Sequence, residues 1–203
     1  MNEFLLILLP GMMYFWVLFI GQGPMQEVLQ DKDNHILPRI LAAPVTLPQF
    51  VLSKMLRCFL LCGLSLLLLV LLTALLFGLH WGNPVLVAVV ITACALSMTG
   101  LLALIYSLAR TREQANVMSS IILLVLAMLG GSMFPYESLP GFLQAVGQLT
   151  PSRWGVLALR AVAGSKPLLE LAKPLLGLVS LGALGSGLAF VLFRRHLAHG
   201  QGR

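Results

Sequence analysis

Few residues in this chain have the type and spacing for chemistry. Gly185-Ser186-Gly187 has the outline of a nucleophilic serine between glycines. Such a serine needs a neighbouring base, and the four histidines, His35, His80, His196 and His199, all lie outside the apolar segments. The triplet is therefore read as small residues for close helix packing. Cys58 and Cys62 stand four apart on one helix face, and Cys94 is the third cysteine. A metal site needs a second ligand pair at matching spacing, and none accompanies them, so they read as packing or lipid-facing cysteines. No G-x-x-x-x-G-K-S/T run for nucleotide phosphates occurs. The chain is expected to carry no catalytic residue, no metal and no cofactor of its own. Energy for any work must then come from another polypeptide.

The elements that position these residues follow from composition. Of 203 residues, 59% are hydrophobic and 10% charged, with mean hydropathy +0.95. A soluble domain carries about 25% charged residues, so the chain is read as an all-α integral membrane protein. Apolar segments cover 4–22, 56–79, 84–108, 117–134 and 174–193. A helix needs about 20 apolar residues to cross the hydrocarbon. Backbone groups in lipid must be satisfied within the segment, so each is predicted to be a helix. This gives about five transmembrane helices in a single transmembrane domain, 1–203. The first segment lacks a basic leader and a small-residue cleavage site, so it is read as a retained span. None of the five has Asp, Glu, Lys, Arg or His in its interior. Ion-coupled carriers and intramembrane proton relays place such residues there, so both classes are disfavoured.

The net charge of +6 is read as topology and not as a nucleic-acid interface. The loop 24–55 carries Lys32, Arg39 and Lys54, with Arg57 at its edge. The turn 109–116 carries Arg110 and Arg112, the tail carries Arg194, Arg195 and Arg203, and the turn 80–83 carries no Lys or Arg. Placing the basic regions inside puts nine basic residues on that side and four (Arg153, Arg160, Lys166, Lys173) on the other. The expected topology is N-terminus out and C-terminus in, across the cytoplasmic membrane.

Two segments outside the spans hold the remaining signal. In the inside loop, Asp31-Lys32-Asp33 is followed by Asn34 and by Ile36, Leu37, Ile40 and Leu41. Those four positions make a narrow apolar stripe on a short helix, which Asn34 caps and Pro44 closes. Such a helix lies in the lipid interface or docks in a groove of a partner protein; the charged triplet favours a partner. On the opposite side, 130–161 is too apolar for a solvent loop and too broken for a span. Gly130-Gly131, Phe134-Pro135, Leu139-Pro140 and Thr150-Pro151-Ser152-Arg153-Trp154 punctuate it. Irregular backbone at membrane depth is tolerated against protein or a water-filled cavity. The stretch 135–165 is thus read as a re-entrant helical segment, with Arg153 and Trp154 anchoring its end at headgroup level.

Taken in order, these motifs resemble the ABC-2 type permeases, the membrane subunits of one class of ABC exporters. The resemblance rests on the Asp31-Lys32-Asp33 triplet, the stripe around Arg39, the run from Leu41 through Pro44 and Val45 to Lys54, and the outer Gly130-Gly131, Phe134-Pro135, Leu139-Pro140 and Thr150–Trp154 motifs. It covers nearly the whole chain. The resemblance implies a coupling helix that docks on a separate ABC ATPase, with Asp31, Lys32, Asp33, Ile36, Leu37, Arg39, Ile40 and Pro44 as coupling residues. It implies an outer gate at Gly130, Gly131, Pro135, Pro140, Pro151 and Trp154. It further implies a second permease subunit, identical or not, surrounding membrane lipid, and ATP with Mg²⁺ used by the partner ATPase. The expected function is outward transport of a drug, lipid or other hydrophobic or glycan cargo. The chain departs from the family in apparently lacking its first transmembrane helix. The alternative is therefore a truncated, non-transporting assembly partner of a full-length permease.

Overall fold

The computed structural model describes residues 2–34, 46–109, 111–132, 136–164 and 168–199, and every regular element among them is helical. Helix α1 (Asn2–Ile20) is followed after Gly21 by α2 (Gln22–Asp33). Then come α3 (Leu47–Phe77), α4 (Pro84–Leu108) and α5 (Arg112–Leu129). A 3-10 turn (Tyr136–Ser138) leads into the short α6 (Gly141–Gly147), then α7 (Pro151–Ala163) and the long α8 (Leu168–His199).

Local chemistry sets these boundaries. The Gln49 side chain accepts from the Thr46 amide at 2.9 Å, and Pro48 occupies the first turn of α3. The helix stops at Gly78, whose φ of 63° suits glycine. Asn83 caps α4 by accepting from the Val85 amide at 2.9 Å. Thr111 and Thr150 cap α5 and α7 in the same way.

Among the described residues, four helices are long and apolar enough to cross a bilayer: Pro48–Phe77, Pro84–Leu108, Arg112–Leu129 and Leu169–Phe193. At 1.5 Å per residue, the 25 residues of α4 extend about 37 Å, more than the ~30 Å hydrocarbon. The sequence expectation of about five spans adds to these the segment that forms α1. Two boundaries differ from expectation. Within the predicted loop 24–55, residues 24–33 are helical as part of α2 and residues 47–55 are the start of α3, because the Thr46–Gln49 start signal precedes the apolar run that begins at Leu56. The last helix begins at Leu168 and absorbs Pro174, which sits inside the helix.

Helix α4 is the axis of the molecule and packs on α2, α3, α5, α7 and α8. Its closest partner is α8. A Cβ at Gly182 would stand 2.8 Å from the Ser97 amide nitrogen, and one at Gly185 would stand 2.9 Å from the Gly100 carbonyl oxygen. Hydrophobic driving force is weak between helices already in lipid, and small residues stabilise association by letting backbones approach. Three steps along α8 match three along α4, so the two helices run parallel. Most leucines of α3 face outward, Leu64, Leu68, Leu71 and Leu75 among them, while Leu66 is buried. Such a face suits acyl chains and would aggregate in water.

Candidate functional site

The two sets of residues singled out by sequence lie at opposite ends of the bundle. Asp31, Lys32 and Asp33 belong to α2, which packs against the start of α3 and of α5. Gly130 closes α5 at its other end. Ile36, Leu37, Arg39, Ile40 and Pro44 lie outside the described residues, as does Pro135.

At the α2 end, charge is organised across two helices. Glu27 and Asp31 are four apart on α2, and Lys54 and Arg57 are three apart on α3. The Lys54 ammonium lies 2.8 Å from the Asp31 carboxylate and 3.1 Å from that of Glu27. Arg57 also donates to Glu27. The Lys54 side chain is only 16% exposed, whereas that of Arg57 is 62% exposed. The Arg57 pair is therefore screened by solvent, and the charge-assisted bonds of Lys54 carry most of the tie. Asp31, expected as a coupling residue, is bonded to α3 through its carboxylate.

A second tie runs to α4 and α5. Gln22, Tyr106 and Ser119 are all buried. The Ser119 hydroxyl donates to Gln22 Oε1 at 2.9 Å, and the Tyr106 hydroxyl lies 3.2 Å from that of Ser119 and 3.5 Å from Gln22 Oε1. One turn further, Gln26 Nε2 donates to Asn116 Oδ1 at 2.8 Å. Helix α2 is thus bonded to α3, α4 and α5 by polar contacts in an otherwise apolar molecule. At its start, a Cβ on Gly21 would meet Cys62 Sγ and Leu102 Cδ1, each at 2.7 Å. The bend between α1 and α2 is packed tight there, and Cys58 and Cys62 are packing residues. The sequence offered one sign of the ion cluster, the matched i,i+4 acids and i,i+3 bases. It offered none of the Gln22–Ser119–Tyr106 chain, whose members lie up to 97 residues apart.

At the other end, α5 stops at Gly130, and Gly131 takes φ 76°. That left-handed turn excludes most side chains. A Cβ on Gly130 would meet the Arg153 amide nitrogen at 2.9 Å, so α7 begins directly against the end of α5. Pro140 precedes α6, and Pro151 occupies the first turn of α7. The Arg153 guanidinium lies 3.6 Å from the centre of the Tyr136 ring, and Tyr136 donates its hydroxyl proton to the Gln144 carbonyl. Gln144 in turn donates to the Leu139 carbonyl at 2.8 Å. Helix α7 is not a surface strap: Ser152, Gly155, Val156, Leu159 and Val162 are buried. It is enclosed by α1, α4, α5 and α8, with Gly155 against the Tyr14 ring and Trp154 against Gly177 of α8. Leu139–Leu149 thus turns the chain back, and α7 forms a half-length helix wedged into the bundle.

No cluster of three or more potential metal ligands occurs among the described residues.

This architecture can now be set beside known proteins. The family model of ABC-2 family transporter proteins matches residues 1–191. The chain is 26% identical over 152 residues to the linearmycin resistance permease protein LnrN of Bacillus subtilis (strain 168). That match takes in 75% of this chain and 40% of the relative, so the chain corresponds to less than half of the relative's length. No solved structure matches the chain. With all but its last residues matched by the family model and its helices built to cross a bilayer, the chain belongs to the ABC-2 transporter family, as a multi-pass permease subunit.

Proposed function

We propose that the chain moves a hydrophobic compound outward across the cytoplasmic membrane, driven by a separate ATPase subunit that engages α2 and the segment 34–45. The observation that carries this reading is the bracing of α2: Lys54 bonded to both Glu27 and Asp31, and Gln22 bonded to Ser119. A partner pressing on the residues beyond Asp33 would displace α2 as a lever. Its ties would pass the displacement to α3 and α5, and α5 ends against the wedge of α7. The basic excess of the α2 end supports placing that end inside, with the N-terminus out and the C-terminus in. Nucleotide and Mg²⁺ are used by the partner, and a second permease subunit, identical or related, completes the pathway. The relative's name, a linearmycin resistance permease, supports a drug as cargo.

The test uses the complex purified from its own host and reconstituted in liposomes, with a lipophilic fluorescent dye as transport probe. Lys54→Gln is expected to leave ATP hydrolysis within about twofold of wild type and to lower dye transported per ATP about tenfold, equivalent to ~1.4 kcal/mol of lost coupling. Lys54→Arg, which retains the charge, is expected to keep coupling. Unchanged transport per ATP in Lys54→Gln would overturn the lever.

A further inference from the structure

A cavity of about 350 Å³ opens between α7 and α8, lined by Trp154, Leu157, Arg160, Glu170, Lys173 and Pro174. It holds two cations and one anion, whereas the spans around it carry almost no charge. Its volume falls within the range of small-molecule sites.

Its depth says what it meets. Gly182 lies at the middle of the Leu169–Phe193 span. At 1.5 Å per residue, Lys173 stands about 13 Å along α8 from Gly182, Glu170 about 18 Å and Gly177 about 7.5 Å. The hydrocarbon boundary lies about 15 Å from the bilayer centre. The charged rim therefore lies at the hydrocarbon boundary, where a lysine reaches the headgroups, and the Trp154 ring, laid on Gly177, forms an apolar wall among the acyl chains below it. Helix α7 runs antiparallel to this part of α8, because Trp154 meets Gly177 while Arg160 shares the cavity with Glu170.

We propose that this cavity binds the phosphate headgroup of a membrane lipid. Arg160 and Lys173 supply donors to the phosphate oxygens. Glu170 accepts from an ammonium or hydroxyl on the headgroup, and Trp154 packs along the acyl chain. The site lies at the end of the bundle away from α2 and is separate from the coupling region. It holds whether or not an ATPase engages this chain. Arg160 and Glu170 have interactions of their own, so Lys173, on the exposed rim, is the residue to test.

The full chain in neutral detergent micelles is titrated with phosphatidylethanolamine, and bound lipid is counted by native mass spectrometry. Saturable binding of one lipid per chain is expected, weakened about fivefold by Lys173→Gln, the effect of ~1 kcal/mol for one basic group at a headgroup. Arg112→Gln, which removes an exposed cation at the opposite end, is expected to change nothing. Diacylglycerol, which lacks the phosphate, should not compete, and millimolar inorganic phosphate should compete weakly or not at all. Equal competition by diacylglycerol, equal loss in Arg112→Gln, or unchanged affinity in Lys173→Gln would each overturn the proposal. Full displacement by millimolar inorganic phosphate would likewise overturn a lipid in favour of a free-phosphate site.

Discussion

At the scale of single residues, the molecule concentrates its few polar contacts on one helix. Lys54 is the most consequential, because two carboxylates share its ammonium in a setting that is five-sixths covered. Removing the cation leaves Glu27 and Asp31 facing each other in part-buried surroundings. Charge-assisted hydrogen bonds contribute roughly 1.5–3 kcal/mol each in such settings. Lys54→Gln is accordingly expected to lower stability by about 1–3 kcal/mol, and Arg57→Gln by less than about 1 kcal/mol. Thermal unfolding of the purified chain in detergent checks the order, and equal losses would show that the burial difference is inconsequential. Ser119→Ala removes the hydroxyl that links Tyr106 to Gln22 at short range and leaves only the longer 3.5 Å contact from the Tyr106 hydroxyl to Gln22 Oε1. A loss of about 1–3 kcal/mol is expected there, and a neutral Ser119→Ala would mean that the node bears little of the tie.

At the scale of elements, the seam between α4 and α8 sets the packing. Gly182 has no room for a Cβ, with backbone of Leu96 and Ser97 within 3 Å, whereas a Cβ at Gly187 meets nothing within 4 Å. Gly182→Ala must force the two backbones apart and is expected to destabilise the fold by more than about 2 kcal/mol. Gly187→Ala is expected to be neutral or to stabilise by up to ~1 kcal/mol through helix propensity. The pair of substitutions is read in one thermal-unfolding comparison; equal effects would contradict the seam. This contrast also marks what was legible beforehand. The glycine-serine triplet reads as packing, and Gly185 does pack, but its partner is Gly100 and Gly187 stands open. The long Leu-rich runs and their Asn83, Thr111, Thr150 and proline start signals were legible, because hydropathy and caps act locally. The continuation of the chain as α2 was less so, since its residues are polar and its stability comes from bonds to α3 and α5. The depth of α7 was not legible either. Its burial depends on Gly130, Gly155 and Gly177 each yielding space to a distant segment, and spacing along one chain carries no sign of that.

At the scale of the whole molecule, the ends divide the work. One end gathers the α2 ties beside the segment 34–45, and the other holds the α5 stop, the Tyr136–Arg153 contact and the α7 wedge. Between them lie parallel α4 and α8, closely packed and free of ionisable groups in the contact. This arrangement fits the proposed lever, in which force enters at one end and a passage is reshaped at the other, and the central α4 carries no Asp, Glu, Lys, Arg or His for ion coupling. The family match extends over both ends, residues 1–191, from α1 into the last turns of α8.

The central claim, that an ATPase drives this permease through α2 and the residues that follow it, is tested most directly by purifying the tagged full chain from its own host in mild detergent. The account predicts a stoichiometric ATPase bearing the G-x-x-x-x-G-K-S/T phosphate loop, lost when Ile36, Leu37 and Ile40 are together changed to Glu while the folded chain is retained. A full-length permease without any ATPase, or an ATPase that stays bound to the triple variant, would contradict it.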